Sequence, residues 1–250
     1  MRLSRLLSFA VMVLLIANSS LLHSQEINPA LSAKLKVGLG RYMADIVELP
    51  MEVSSTITEL DASGKIRKVH HTTYEFQITA QHRDESIENA QCHVRGPRKM
   101  LTAWHGRDIA QTILTVAVVM DAMASSPREL TILERHGYLL VLRVPEENSC
   151  SAFRVDQGKI VMATEFCGNM QIGFDTVTSL PVSVSYSALG LPITEGKRTL
   201  RTYTLENQFR LVSIPGEKFP FLFPAHVRAK FEYASDSLII ESEYSPKLKK

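Results

Sequence analysis

Residues 108–124, DIAQTILTVAVVMDAMA, form the longest strongly apolar segment beyond the N-terminal region. Asp108 is suited to cap a helix, because its carboxylate accepts the orphan N–H groups of the first turn. One polar stripe then carries Asp108, Gln111, Thr112 and Thr115, and the opposite face is apolar. The pattern predicts a helix over Asp108–Ala124 around which a sheet wraps. Because the run ILTVAVVM is rich in β-branched residues, a buried strand is the competing interpretation.

The N-terminus has the layout of a secretory signal peptide. Arg2 and Arg5 precede an apolar run, residues 6–16, and a small polar stretch, residues 17–24, follows it. We expect residues 1–24 to be removed on export to the periplasm or the extracellular space. An uncleaved anchor is the alternative, but the run is shorter than the ~20 apolar residues that a membrane span needs. No Cys lies in residues 17–24, directly after the run, so no lipid anchor is expected.

Residues 25–250 are expected to form a single domain, because neither repeats nor a low-complexity linker divide them. A hydrophobic content of 45% is enough to bury a core. The formal net charge of +2 includes two arginines of the predicted signal peptide, so the mature chain lies near neutrality. A near-neutral chain lacks the basic surface that phosphate backbones select. Nucleic acid is therefore not an expected partner.

A helix is predicted to begin at Asn28-Pro29 and to end at Leu49-Pro50. Gly38 and Gly40 within it would weaken the helix but permit close packing against a sheet. From Met51 onward the hydrophobic period changes to two, and turn signals separate one short strand from the next. Residues 61–64, Asp-Ala-Ser-Gly, are the first of these turns, with Gly where a positive φ is needed.

The number of predicted strands limits the architecture. A sheet of roughly ten or more strands does not stay open and flat, so it must curl or close. Two helices are too few to cover both faces of a parallel sheet. The predicted fold class is therefore α+β, a strongly curved, meandering antiparallel sheet, or half-barrel, wrapped around one or two helices.

Two stretches in the second half give this layout a family resemblance. Residues 170–188, MQIGFDTVTSLPVSVSYSA, resemble a strand–turn–strand in which an Asp ends one strand and a T-x-x-P turn follows. Residues 218–245, KFPFLFPAHVRAKFEYASDSLIIESEYS, resemble a closing pair of strands. Together with the signal peptide and the two helices, the chain resembles the lipoprotein-carrier (LolA-like) half-barrel superfamily of bacterial envelope proteins.

The resemblance covers most of the mature chain as a layout, but its motifs are short. The chain departs from true carriers in its longer N-terminal hairpin and in its three cysteines. No individual functional residue carries over. The resemblance implies a general role, which is to hold a lipid or an acyl chain between the sheet and the helices.

No constellation of reactive residues points to an enzyme. Six of the eight histidines lie between His70 and His136, but His70 and His71 would point to opposite faces of a strand and do not easily share one ion. Neither HExxH nor Cys-x-x-Cys occurs. Ser63 lies in a turn without the elbow setting of a nucleophile. We therefore expect no catalytic residue, no metal and no cofactor, and we interpret the histidines as surface residues.

Apolar side chains give a more specific hypothesis. Phe219, Phe221 and Phe223 alternate in an extended segment and would share one face. Pro220 and Pro224 restrict that segment to an edge strand or a rim loop. The rings either cap the open end of the core or form a lip over a lipid pocket, because ligand sites are mostly apolar and concave. The tentative ligand-binding residues are Trp104, Ile113, Ala117, Met120, Met123, Phe219, Phe221 and Phe223.

Three cysteines leave one thiol over if two of them pair. Cys150 and Cys167 would lie diagonally across a hairpin that turns at residues 156–159, and a bulge would bring them into register. A Cys150–Cys167 disulfide is expected, and two small buried thiols are the alternative. Cys92 is then a buried, inert thiol.

The expected function is that of an exported bacterial envelope protein that binds an apolar ligand, such as a lipid or an acyl chain. Methionines near the end of the predicted central helix, Met120 and Met123, suit variable ligands but serve equally as core filler. The alternative is a non-enzymatic structural or protein-interaction domain of the periplasm with a solid core, whose partner is another envelope protein.

Overall fold

One large antiparallel sheet dominates the chain. The computed structural model describes residues 29–48, 50–79, 91–95, 130–144, 152–156, 159–163, 168–188, 193–195, 198–216 and 218–247. The predicted signal peptide, the predicted helix Asp108–Ala124, Trp104, Cys150 and Cys167 lie outside the described residues.

The elements of the described residues are a helix and thirteen strands. They are α1 (Pro29–Glu48), β1 (Met51–Asp61), β2 (Ile66–Thr79), β3 (Gln91–Arg95), β4 (Thr131–His136), β5 (Leu139–Val144), β6 (Ala152–Asp156), β7 (Lys159–Ala163), β8 (Gly168–Asp175), β9 (Leu180–Ala188), β10 (Ile193–Glu195), β11 (Arg198–Val212), β12 (Phe221–Tyr233) and β13 (Asp236–Pro246). The predicted first helix and the predicted succession of short strands from Met51 onward are thus confirmed where they fall on described residues.

All thirteen strands belong to one sheet, in the order β4-β5-β8-β9-β11-β12-β13-β1-β2-β3-β7-β6, with β10 paired beside β11. Within the described residues β4 and β6 form the two ends of this path, so the sheet is open there. The expectation of a simple meander is wrong in two places. The last strand, β13, pairs with the first, and the β6–β7 hairpin lies next to β3 rather than between β5 and β8. Local sequence patterns do not encode such long-range pairings.

Helix α1 packs tightly onto the sheet through its first half. It begins at Pro29, whose fixed φ suits the first helical position. Leu31 and Leu35 are buried, and Gly38 continues their stripe. A Cβ added at Gly38 would lie 1.9 Å from the backbone oxygen of Ser179 in the β8–β9 turn. The predicted close packing at this glycine is confirmed, and the helix also contacts β2, β9 and β12.

The β1–β2 hairpin closes as its turn signal predicts. The Asp61 carboxylate accepts hydrogen bonds from the backbone N–H of Ser63 at 2.9 Å and of Lys65 at 3.0 Å. Hydrogen bonds from the Ser63 hydroxyl and from these N–H groups lower the pKa of Asp61. Gly64 has a φ of 81°, which a side chain would disfavour.

One side of the sheet is apolar and buried. In β1, Met51, Val53, Ser55 and Ile57 are buried, and the residues between them are half-buried or exposed. The register carries this alternation across the sheet, because directly opposite residues of antiparallel strands point to the same face. We call the side that carries Val53, Leu205 and Val227 the inner face, and the opposite side the outer face.

The inner face extends over eight neighbouring strands. Its buried apolar residues are Leu140, Leu142, Val144, Met170, Ile172, Phe174, Val184, Tyr186, Ala188, Tyr203, Leu205, Val227, Ala229, Phe231, Leu238, Ile240, Tyr244, Met51, Val53, Ile57, Tyr74 and Phe76. The outer face instead carries charged cross-strand pairs, such as Arg228 and Glu241 at 3.2 Å. Alternation of this kind is typical of a sheet with one solvated side.

Candidate functional site

A row of polar side chains crosses the apolar inner face. Ser55, Thr72, Asn207 and Ser242 are the buried polar residues of the described chain, each at most 8% exposed. Asn207 lies opposite Val227, which lies opposite Ser242, which in turn pairs with Ser55 and through it with Thr72. These five residues therefore form one line perpendicular to the strands, which we call the inner polar row. All four polar residues that are removed from water share this single line.

The hydroxyl groups at one end of the row bind one another. Ser55 Oγ lies 2.6 Å from Ser242 Oγ and 3.1 Å from the hydroxyl oxygen of Tyr74. A buried hydroxyl that is hydrogen-bonded costs little, whereas the same group without a partner costs several times more. This end of the row is therefore satisfied within the protein.

Asn207 differs from the hydroxyls. Its side chain is 1% exposed, and neither Oδ1 nor Nδ2 has a hydrogen-bond partner among the described residues. Its neighbours across the sheet are Val184 on β9 and Val227 on β12, which offer no polar side-chain atom. A buried polar group without a partner costs about 1–3 kcal/mol. The amide thus has unused capacity for two donated and two accepted hydrogen bonds.

Apolar side chains flank the inner polar row on both sides. Leu205, Ala229 and Ile240 form the next row on one side, and Tyr244 and Val53 belong to the next row on the other. Asn207 therefore lies within an apolar surface and not at its rim. The alternation of Tyr203, Leu205 and Asn207 in the sequence predicts that the three side chains share one side of a strand. It does not predict that an asparagine on that side is buried.

Three aromatic side chains lie close together on the inner face near the inner polar row. The ring centroids of Tyr186 and Tyr203 are 6.0 Å apart, and those of Tyr203 and Phe231 are 4.9 Å apart. These distances lie in the range of favourable aromatic pairs. Tyr186 is 4% exposed, and burial raises its pKa from 10.0 to about 12.

The Tyr186 hydroxyl makes stability depend on alkaline pH. The folded protein retains a proton that the unfolded chain releases from pH 10 upward, so the contribution is fully present below pH 10 and is lost as pH rises towards 12. We expect a loss on the order of 1–2 kcal/mol across this window. Urea denaturation at about pH 9 and about pH 11.5 measures it. Tyr186→Phe should remove this part of the loss, and Tyr138→Phe, at a 64% exposed tyrosine, should not. An unchanged pH dependence in Tyr186→Phe would contradict the assignment.

The predicted ligand-binding residues are only partly placed. Trp104, Ile113, Ala117, Met120 and Met123 lie outside the described residues, so their role stays a prediction. The three phenylalanines differ from one another in burial. Phe219 is 65% exposed, Phe221 is half-buried and Phe223 is fully buried.

Phe223 is separated from the inner polar row by a β-bulge. The register between β11 and β12 shifts at Ala225, so Phe223 lies opposite Arg210, and Pro224 lies opposite Phe209. The Arg210 guanidinium stands 5.1 Å from the centre of the Phe223 ring and donates to the backbone oxygen of Tyr244 at 2.9 Å. The register therefore places Phe223 on the same side of the sheet as Arg210, whereas Pro224 lies on the inner face.

Pro220 and Pro224 lie where their missing backbone N–H groups do not interrupt a strand that is paired on both sides. The pairing of β12 with β13 begins at His226, so Pro220 and Pro224 precede the part of β12 that is paired on both sides. Arg41 of α1 donates to the backbone oxygen of Pro220, which attaches the helix to this segment. A ligand contact of Phe219, Phe221 and Phe223 stays a prediction.

The histidines do not converge in the described part of the chain. His71 Nδ1 lies 3.0 Å from the Thr56 hydroxyl, whereas His70 approaches Glu59 at 3.7 Å on the other side of β2. The opposed directions predicted for these two histidines are confirmed. No three His, Cys, Asp or Glu side chains of the described residues are placed to hold a metal ion.

No family model matches the chain, and no curated protein matches it. A solved structure with a similar course is a DUF1329 family protein from Desulfovibrio piger, which shares 10% sequence identity over 87% of this chain and 92% of its own. The TM-score is 0.35, so the likeness carries no argument about function. Helix α1, the helix in the described part, is not apolar enough along its length to cross a membrane.

Proposed function

We propose that this chain is an exported, non-enzymatic protein of the bacterial envelope that binds an apolar ligand, such as a lipid or an acyl chain, against the inner face of its sheet. The observation that carries the proposal is the extent of that face. Eight strands at ~4.8 Å spacing span about 35 Å, whereas a helix with its side chains is only about 10 Å wide. Helix α1 is too narrow to cover the inner face by itself, so we propose that the ligand lies in the interior of the protein, between this buried face and the elements that pack on it.

The finer architecture belongs to the same proposal. A sheet of this many strands does not stay flat, so we propose that it curves into a half-barrel with the inner face on its concave side. The predicted helix Asp108–Ala124 would then face the sheet across the ligand. The signal-peptide pattern of residues 1–24 supports export, and the LolA-like layout supports the envelope as the destination.

The composition of the inner face suits an acyl chain. Its buried residues are overwhelmingly aliphatic or aromatic, and no charged residue is buried within the described chain. Each buried methylene contributes about 0.8 kcal/mol, so a long chain is held without elaborate polar recognition. Side chains of this kind select for apolar length more than for a particular headgroup.

Mass spectrometry tests the proposal directly. The protein, purified from its native envelope without detergent, should carry a co-purifying lipid or fatty acid, and the delipidated protein should take up a fluorescent fatty acid. The matched control is a soluble periplasmic protein purified in parallel. A protein that is consistently empty and also takes up no fluorescent fatty acid would contradict ligand binding.

A group of exposed apolar residues favours a second candidate, a protein-interaction domain with a solid core. Val37, Tyr138 and Val177 are 68%, 64% and 72% exposed. The three residues belong to segments that contact one another. The Thr176 hydroxyl donates to the backbone oxygen of Tyr138, and Lys34 Nζ donates to the backbone oxygen of Thr176. An exposed apolar group of this kind is typical of protein-binding surfaces. An empty protein in the test above would favour this candidate.

A further inference from the structure

We propose that Asn207 is the polar anchor of the ligand site, and that its side-chain amide hydrogen-bonds an uncharged ester or amide linkage of an otherwise apolar ligand. The inference rests on the proposed function, because it assumes that an apolar ligand lies on the inner face. It names what that ligand must contain, namely an acyl ester or an acyl amide.

The first step is the unused hydrogen-bonding capacity of the amide. Asn207 is 1% exposed, and its Oδ1 and Nδ2 both lack a partner. Most buried polar groups in folded proteins are paired, so an unpaired one requires an explanation. The hydroxyls of Ser55 and Ser242, in the same row, bind each other at 2.6 Å and need no ligand. In the inner polar row, Asn207 is thus the residue whose side-chain amide can hydrogen-bond a ligand.

The second step is the charge of that partner. The residues around Asn207 on the inner face are apolar, including Val184, Leu205 and Val227. A carboxylate or a phosphate in such a place would require a buried cation, and none of the buried residues of the described chain is charged. Burying an uncompensated charge costs far more than burying a hydrogen-bonded neutral group. An ester or an amide carbonyl matches the Nδ2 donor without adding a charge.

The third step is the position of the partner within the ligand. Apolar rows flank the inner polar row on both sides, with Leu205 and Ala229 on one and Val53 and Tyr244 on the other. A group that meets Asn207 therefore has apolar neighbours in both directions along the strands. A linkage with carbon chains on both sides fits this arrangement better than a terminal headgroup.

Displacement binding with two matched probes tests the inference on the full chain. Octyl nonanoate carries an ester between two carbon chains, and octadecane is a hydrocarbon of the same chain length. Each displaces a bound fluorescent acyl probe from the wild-type protein and from Asn207→Leu. We expect the wild type to prefer the ester by about fivefold to tenfold, which is the effect of one neutral hydrogen bond. The preference should vanish in Asn207→Leu, because neither probe then meets a polar side chain at this position.

Two controls make the result specific. Ser242→Ala alters the same row at a hydroxyl that is already bound to Ser55, so this variant should retain the ester preference. Asn207→Val provides a second, smaller apolar replacement in case Asn207→Leu overpacks the sheet. Without ligand, the better-packed of the two Asn207 variants should melt at a higher temperature than the wild type, because it removes an unpaired buried amide.

The outcomes separate this inference from the proposed function. A wild type that binds both probes equally, as expected if a buried water occupies the amide, overturns the role of Asn207 but leaves apolar binding in place. An ester preference that survives in both Asn207 variants overturns it as well. A wild type that binds neither probe overturns the proposed function and the inference together.

Discussion

Phe223→Ala is expected to lower the free energy of unfolding by about 3–5 kcal/mol, the usual cost of truncating a buried phenylalanine. Phe223 is 0% exposed and belongs to the core cluster. The substitution would leave a cavity and would also remove the ring beside the Arg210 guanidinium, 5.1 Å from its centre. A loss of this size is a large share of the roughly 5–15 kcal/mol that stabilises a typical domain.

Phe219→Ala is the matched control for this prediction. It removes the same side chain four residues away, at a position that is 65% exposed. Surface substitutions of this kind change stability by about 0.5 kcal/mol or less. Urea denaturation of the two variants, followed by circular dichroism, measures the difference. Equal effects would show that the two rings share one environment, as the alternation of the sequence alone suggests.

Gly38→Ala is expected to destabilise the protein by about 2–3 kcal/mol, the upper range for an overpacked site. In an exposed helix interior the same change would stabilise by up to about 1 kcal/mol, because alanine has the higher helix propensity. Here the new Cβ would lie 1.9 Å from the Ser179 oxygen and 3.0 Å from its carbonyl carbon. Both atoms are backbone, so α1 must move away from the β8–β9 turn.

The movement has a second consequence. Lys34 Nζ donates to the backbone oxygen of Thr176 at 2.6 Å, and a displaced helix would weaken that hydrogen bond. Val37→Ala, the neighbouring exposed position, serves as the control and should be nearly neutral. The urea midpoints of Gly38→Ala and Val37→Ala, compared with that of the wild type, measure the two changes in stability. A Gly38→Ala variant that is more stable than the wild type would show that the helix does not press on this turn.

Local features of the fold were predictable because they depend on a few consecutive residues. The β1–β2 hairpin follows from period-two alternation, an Asp that accepts turn N–H groups and a Gly that adopts positive φ. The start of α1 follows from proline chemistry at Pro29. The β8–β9 turn likewise begins at Asp175, whose carboxylate accepts from the backbone N–H of Val177 at 2.8 Å.

The candidate site was not predictable in the same way. The sequence points to apolar residues and to a phenylalanine run, whereas the inner polar row depends on strand register. Ser55 is more than a hundred residues from both Asn207 and Ser242 along the chain, and no motif singles out any of the three. Each is an ordinary polar residue in an alternating strand until the register aligns them.

The sequence by itself determined the α+β class, the first helix, most strand segments and the division of each strand into an apolar and a polar side. These properties arise from dihedral preferences and from periodicity, which act over a few residues. Tertiary structure alone decided that β13 closes against β1, that a bulge at Ala225 turns Phe223 towards Arg210, and that four buried polar residues share one row. The physical reason is that strand pairing joins residues far apart in sequence, and a shift of one residue in register exchanges the two faces of a strand.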